Sequence, residues 1–199
     1  MELQKECSRI KGLIFMYLGR PALEGFDMKG EKAVRKGLRA YGRFRGALLR
    51  EWHEDLGIPI NMESLMRYWD SASARLSGVY APDAIFTPYY VEHPATTCQL
   101  YDVWKEENWE HYGYIFCDEE HHEVCMAYHP KAIVKIHEHL CKGDPMCHFK
   151  WMMIPEVPED QIDKSQYELL DKRARDNPLE DAVEVLRRTN RNTGLLYYF

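Results

Sequence analysis

The chain predicts an α+β protein: N-terminal helices, then a small antiparallel sheet flanked by helices, then a helical C-terminal extension. Three observations carry this. Apolar residues recur at helical spacing through Leu56. From Ala84 to Met153, short apolar and aromatic runs are broken by Gly and Pro. Five of the six cysteines and seven of the nine histidines fall between Thr96 and Trp151, so the chemistry-bearing side chains concentrate in the sheet-forming region. The expected organisation is one domain over 1–154, helical over 1–80 and a Cys/His-rich sheet over 84–154, followed by an extension over 155–199.

The bulk composition bounds the function. At 199 residues, 45% hydrophobic and 29% charged, the chain has the balance of an ordinary globular protein with one good core. A net charge of −6 argues against nucleic acid as a partner. No run reaches the about 20 apolar residues of a membrane span, so no membrane partner is expected. Charges of both signs open the chain and the Leu13-Ile14-Phe15-Met16 run is short, which fits a cytoplasmic protein with reduced cysteines.

Taken in order, Glu2 to Gly19 reads as a helix with Leu3, Cys7, Ile10, Ile14 and Tyr17 as its core stripe, ended by Gly19-Arg20-Pro21. A long second helix starts near Asp27 and closes at Gly57-Ile58-Pro59. Val34, Leu38, Tyr41, Leu48, Trp52 and Leu56 form its core face. Gly37, Gly42 and Gly46 inside it each cost about 1 kcal/mol against Ala, which points to close packing. Arg35, Arg39, Arg43, Arg45 and Arg50 read as a solvated face. Asn61 caps a third helix through about Ala74, and Ser77 to Asp83 is turn-like. Ala84 to His93 reads as one strand, with Pro88 at an edge or bulge.

Cys98 opens a helix through about Glu107, where the positive helix end favours thiolate. Tyr112 to Phe116 reads as a buried strand, followed by a helix that begins at Cys117-Asp118 with Asp118 as N-cap. Cys117, His121 and Cys125 then share one helix face. Ile133 to Leu140 and Met146 to Met153 form a hairpin about Gly143-Asp144. Regular pairing would place Cys147, Phe149 and Trp151 on one face with Leu140, Glu138 and Ile136, and His137, His139 and His148 on the other, solvated face. Beyond Pro158, two polar helices (Gln161 to Arg175, Leu179 to Arg188) and the apolar Leu195-Leu196-Tyr197-Tyr198-Phe199 tail suggest a homodimer contact through the extension.

Two chemistries suit these residues. Cys98 or Cys117 has the character of a nucleophile, with His121 or His122 as base and Asp118 or Glu120 orienting it. Alternatively, Cys98, Cys117, His121 and Cys147 have the types that bind Zn, although the Cys-x-x-Cys knuckle is missing. Tyr89, Tyr90, Trp104, Trp109, Tyr112, Tyr114 and Trp151 either line a small-molecule site or form plain core. Tyr90, Tyr114, His122 and Cys147 are the candidate substrate contacts.

The Thr96-Thr97-Cys98 run, the Gly113-bearing segment ending in Cys117-Asp118, and the closing Gly143-Asp144-x-x-Cys147-x-Phe149 resemble the L-2-amino-thiazoline-4-carboxylic acid hydrolase family. The resemblance covers roughly Tyr89 to Met153. It implies hydrolytic opening of a cyclic C–N bond in a small amidine- or amide-type substrate. Cys98, Cys117 and Cys147 are then site residues, with Asp118 and His121 nearby. Gln99 stands where the family often has Pro or Ala, and His121-His122 where some members have only an acidic residue. The closing hairpin also resembles vinyl-reductase-type small-molecule-binding domains, which implies a non-catalytic sensor module as the alternative. A zinc-stabilised structural domain is the third reading.

Overall fold

The computed structural model describes residues 2–68 and 84–154. The expected turn at Ser77 to Asp83, the far end of the third helix and everything assigned to 155–199 lie outside them. The described elements are α1 (Glu2–Gly25), α2 (Asp27–Asp55), α3 (Met62–Tyr68), β1 (Ile85–Phe86), β2 (Tyr90–Ala95), α4 (Gln99–Glu106), α5 (Glu110–Tyr128), β3 (Ala132–Glu138), a 3₁₀ turn (Leu140–Lys142) and β4 (Cys147–Met153). This is the α+β architecture the sequence predicts. The strands form an antiparallel sheet in the order β1-β2-β4-β3.

The helices differ from the expectation in several places. In α2, Leu38 is buried as expected, but Tyr41 and Leu56 are exposed and the buried face runs instead through Gly42, Arg45, Gly46, Ala47 and His53. α1 runs through Pro21 to Gly25. Pro21 lies on the exposed side, where water can satisfy the carbonyl that loses its donor, and Leu23, two residues on and on the opposite side of the helix, is buried. The core stripe of α1 is also not the expected one. Phe15, Met16 and Leu23 are buried, whereas Ile10, Ile14 and Tyr17 are exposed. Tyr112 to Phe116 is not a strand: it lies inside α5, and Asp118 is in mid-helix rather than at an N-cap.

α5 is the axis of the fold. From Ile115 to Tyr128 nearly every side chain is buried, because α2 covers one side and the sheet another. α2 comes close because Gly42 and Gly46 present no side chain. A Cβ at Gly42 would lie 2.7 Å from the Glu120 carbonyl oxygen, and one at Gly46 would run into the Val124 carbonyl. The packing role expected of these glycines holds at 42 and 46; at Gly37 a Cβ would meet open space.

The arginines of α2 do not form a solvated face. Arg35 contacts Asp118 (3.0 Å) and Glu119 (2.9 Å), Arg39 contacts Glu119 (2.6 Å), and Arg45 is buried on Glu120. Arg50 pairs with Glu54 one turn on (2.8 Å).

Asn61 caps α3 as expected, its Oδ1 accepting the Ser64 N–H (2.8 Å). The 84–93 stretch is two short strands, not one. Thr87 closes a tight turn, its N–H donating to the Tyr90 carbonyl (2.8 Å) and its Oγ1 accepting the Tyr90 N–H (2.9 Å), with Pro88 inside the turn.

The β3–β4 hairpin pairs Ile136 with Phe149 and Val134 with Trp151, then shifts register so that Glu138 faces His148. That irregularity moves Glu138 off the expected face, an effect of bulges in general. His139 leaves the strand altogether and is buried at the start of the 3₁₀ turn. Phe149 and Trp151 lie on the helix-covered face with Val124, Cys125 and Tyr128. Tyr90, Ile133, Met152 and Ile154 form a separate buried cluster.

Candidate functional site

Three chain segments converge where β2, β4 and α5 meet. β2 ends at Ala95, opposite Cys147, the first residue of β4. Thr96 and Thr97 lead to Cys98, which stands in extended conformation (φ −150°, ψ 117°) as the residue from which α4 starts, with no side-chain cap hydrogen bond. From the other direction, His139 Nδ1 accepts the Cys141 N–H (3.0 Å) and Asp144 Oδ2 accepts the His139 N–H (2.7 Å). Gly143, at φ +88°, closes this turn in the left-handed region that favours glycine. The Leu140 N–H then donates to Cys147 Sγ (3.4 Å). α5 brings Cys117 to the same place. One turn earlier, Gly113 makes room for the Cys141 sulfur, which would stand 2.7 Å from a Cβ there, and for the Trp104 ring.

The four thiols therefore sit at the seam of the two main core clusters, which Tyr101 and Ile136 both touch. No disulfide joins them. Cys117, Cys141 and Cys147 are buried; Cys98 is half-buried. Burial pushes the Cys117 thiol well above the ordinary range, and Cys98, Cys141 and Cys147 add to the shift. Burial also raises Cys141, and Cys147 is pushed up to about 12, burial outweighing the Leu140 N–H. A buried thiol is a poor nucleophile because its anion is unsolvated. Cys98 is the most accessible of the four and stands at the positive end of a helix, where negative charge is favoured.

His121 lies flat against Phe149 (ring centroids 5.4 Å, 20° between planes) and Trp151 (5.4 Å, 23°), with Nδ1 2.9 Å from Glu120 Oε2. Burial would raise the Glu120 carboxyl, but Arg45, Lys11 and His121 outweigh it and hold it far below the usual range. The carboxylate beside His121 is thus Glu120. Asp118, the other carboxylate that the sequence offers for this place, is turned to Arg35.

The other expected contacts scatter. Cys125 is buried in the core below His121. Tyr114 is half-buried, with the cations of Arg35 (5.7 Å) and Lys142 (5.2 Å) over its ring. His122 is buried on α5. Tyr90 belongs to the separate cluster and its hydroxyl donates to Glu92, which also holds His148 Nε2 (2.7 Å) and Lys150 Nζ (3.4 Å). Of the histidines expected on a solvated face, His137 is exposed and lies near His148 (ring centroids 5.4 Å), while His139 is buried.

Burial, with His121 and Lys142 adding to it, lowers His139 to about 4, and burial alone lowers fully buried His53 to about 4. Both imidazoles fold neutral. An unfolded histidine takes up its proton near pH 6.5. Between about pH 6.5 and 4 the unfolded chain binds protons that the folded chain refuses, so stability falls as pH falls, by up to about 1.4 kcal/mol per pH unit per histidine. Thermal melts from pH 7.5 to 4.5 should show this slope. His139→Asn, whose side-chain oxygen can still accept the Cys141 N–H, should remove a share of it; an unchanged slope would clear His139 of responsibility.

The zinc reading does not fit the donor geometry. Among the described residues, no group of three or more His, Cys, Asp or Glu side chains is set to hold a metal ion. The expected set of Cys98, Cys117, His121 and Cys147 brings three thiols together, but His121 is engaged by Glu120 and two aromatic rings.

Residues 9–151 match the family model described as L-2-amino-thiazoline-4-carboxylic acid hydrolase. The chain belongs to this family. No curated protein matches it. Among solved structures, it is similar to a trafficking protein particle complex subunit 3 from Naegleria fowleri covalently bound to palmitic acid, at 14% identity and a TM-score of 0.44, over 78% of this chain and 99% of that one. It is also similar to the phenol-responsive sensory domain of the transcription activator PoxR with phenol, at 15% identity and a TM-score of 0.47, over 78% and 79% of the two chains. Among the described residues, no helix is long and apolar enough to cross a membrane.

The sequence of this family member names Cys98, Cys117 and Cys147 as site candidates, Gly113 only through the resemblance and His139 only on a solvated face; Cys141 and Tyr101 receive no role from it. The signal for Cys141 was present in Leu140-Cys141-Lys142-Gly143, a short turn ended by a glycine between two strands. Glu120 enters the sequence reading only as an alternative to Asp118, and Arg45 only as a solvated charge, since a buried ion pair between two helices cannot be told from surface charge by spacing.

Proposed function

We propose that the protein hydrolyses a C–N bond in a small cyclic amidine- or amide-type molecule, with Cys98 as nucleophile. The observation that carries this is the placement of Cys98: half-buried at the start of α4, beside three buried thiols. The Cys98 sulfur adds to the sp² carbon between the ring heteroatoms. The C–N bond then breaks as a proton is delivered to the departing nitrogen. Water attacks the resulting S-bound carbon, releasing the ring-opened product and returning the thiol. His121 is the proposed proton carrier, with Glu120 beside Nδ1 leaving Nε2 to exchange protons with the substrate.

Two oxygen acceptors support an N–H-rich substrate. Gln99 Oε1, next in sequence to Cys98, and Glu110 Oε2, close enough to Cys141 to raise its thiol, are buried without hydrogen-bond partners within the protein. Buried acceptors of this kind call for a donor, and an amidine supplies several. Tyr114, His122 and Cys147 remain the proposed substrate contacts from the sequence; Tyr90 belongs to the other cluster and is left out.

The test is native-state alkylation with iodoacetamide, mapped by mass, beside an assay with 2-amino-thiazoline-4-carboxylate. Cys98 should alkylate well before Cys117, Cys141 and Cys147, and modification should stop formation of a product one water heavier than the substrate. Turnover that survives full modification of Cys98 would remove it as nucleophile. Substrate that binds but emerges unchanged from the unmodified protein would favour the non-catalytic sensor reading.

A further inference from the structure

We infer that α1 pairs antiparallel with α1 of a second copy of this chain. The helix has two apolar faces. Phe15, Met16 and Leu23 face inward with Trp104, Trp109 and Phe116. The other face carries Ile10 (52% exposed), Ile14 (54%), Tyr17 (64%) and Leu18 (76%). Large apolar side chains scattered singly on a surface are ordinary; four on one stripe of one helix are not. The steps from Ile10 to Ile14 to Tyr17 are four and three residues, the average spacing of 3.5 that keeps a seam facing a partner helix.

Charge selects the occupant and its direction. Packing Ile10 of one copy against Ile14 of the other fixes an antiparallel register in which exposed Glu6 falls beside Arg20 of the second copy, once at each end. Arg20 is accessible for this, its side chain 42% exposed while it contacts Glu24 (3.0 Å). A parallel pair would set Glu6 against Lys11 of the second copy, and Lys11 is engaged inside the subunit, with Nζ over the Phe116 ring (5.3 Å). Phe26 and Met28, both exposed just past the end of α1, extend the apolar surface. The sequence placed a homodimer contact in 155–199; this surface is a different one, on described residues.

Sedimentation of the full chain tests it. The wild type should be a dimer at concentrations on the order of 10 µM. Ile14→Arg should raise the dimer dissociation constant at least about thirtyfold, the scale of a hot-spot residue, with an unchanged circular dichroism spectrum because Ile14 is not in the core. Glu6→Arg should weaken the dimer severalfold, and adding Arg20→Glu should restore it. A monomeric wild type overturns the proposal. So does a dimer indifferent to Ile14→Arg, whose contact would then lie elsewhere, and a charge swap that fails to restore association overturns the antiparallel register.

Discussion

Cys98→Ser should lower kcat/KM by on the order of a thousandfold or more while leaving the thermal midpoint nearly unchanged. The reasoning is local. Ser keeps the size and the extended backbone of the residue before α4, so the helix start survives. What it loses is the thiol that adds to the substrate carbon, since a hydroxyl there would need a strong base. Cys117→Ser and Cys147→Ser should behave oppositely. Each puts a hydroxyl into an apolar seam, so stability drops, by about 1–3 kcal/mol for a poorly satisfied polar group, while the folded fraction keeps its kcat; at Cys147, a proposed substrate contact, KM should rise as well. Steady-state kinetics beside denaturant titration separates the two patterns. Full activity in Cys98→Ser would end the nucleophile assignment.

How much of the fold and site was legible in the sequence depended on exposure. The extent of α2 is legible because its apolar residues recur at helical spacing and Gly57-Ile58-Pro59 closes it, but its core face is not: Tyr41 and Leu56 are exposed, and Gly42, Arg45 and Gly46 meet α5 instead. α5 was half missed for the opposite reason. From Ile115 to Tyr128 it is buried nearly all round, so no period survives, and Tyr112, Tyr114, Ile115 and Phe116 look like strand formers. The inward face of α1 was misassigned because the helix carries two apolar stripes, and spacing alone does not say which meets the core. At the site, Thr96-Thr97-Cys98 was readable because a strand end followed by an amphipathic run places a residue at a helix start. The carboxylate next to His121 was not, because Asp118 and Glu120 differ only in which neighbour they meet: Arg35 for one, His121 and Arg45 for the other.

Arg45→Met should cost about 3–5 kcal/mol, a large share of the about 5–15 kcal/mol that holds a typical domain together. Glu120 is fully buried and Arg45 nearly so. Removing the guanidinium leaves a carboxylate that must either stay charged in the core or take up a proton, and both are expensive. Lys11 and His121 offset only some of that loss. The double variant Arg45→Met/Glu120→Leu should recover most of the stability, because apolar side chains of similar volume often replace a buried pair without penalty. Urea midpoints of the two variants decide it. A single variant as stable as wild type would mean that Lys11 or the solvent already balances Glu120. The double variant should also lose activity, since His121 would no longer have a carboxylate at Nδ1.

The joining of α2 to α5 has a consequence for the order in which the chain assembles. Arg45 and Glu120 are 75 positions apart, and Arg39 and Glu119 are 80. On a ribosome, α1 and α2 emerge well before the helix they grip, so the glycine notch at Gly42 and Gly46 and its row of arginines wait without their counterpart. Closing so long a loop before any reward arrives slows folding. The row of guanidinium groups gives the waiting helix a strongly cationic side, which repels other nascent copies and keeps that surface dissolved until α5 is made.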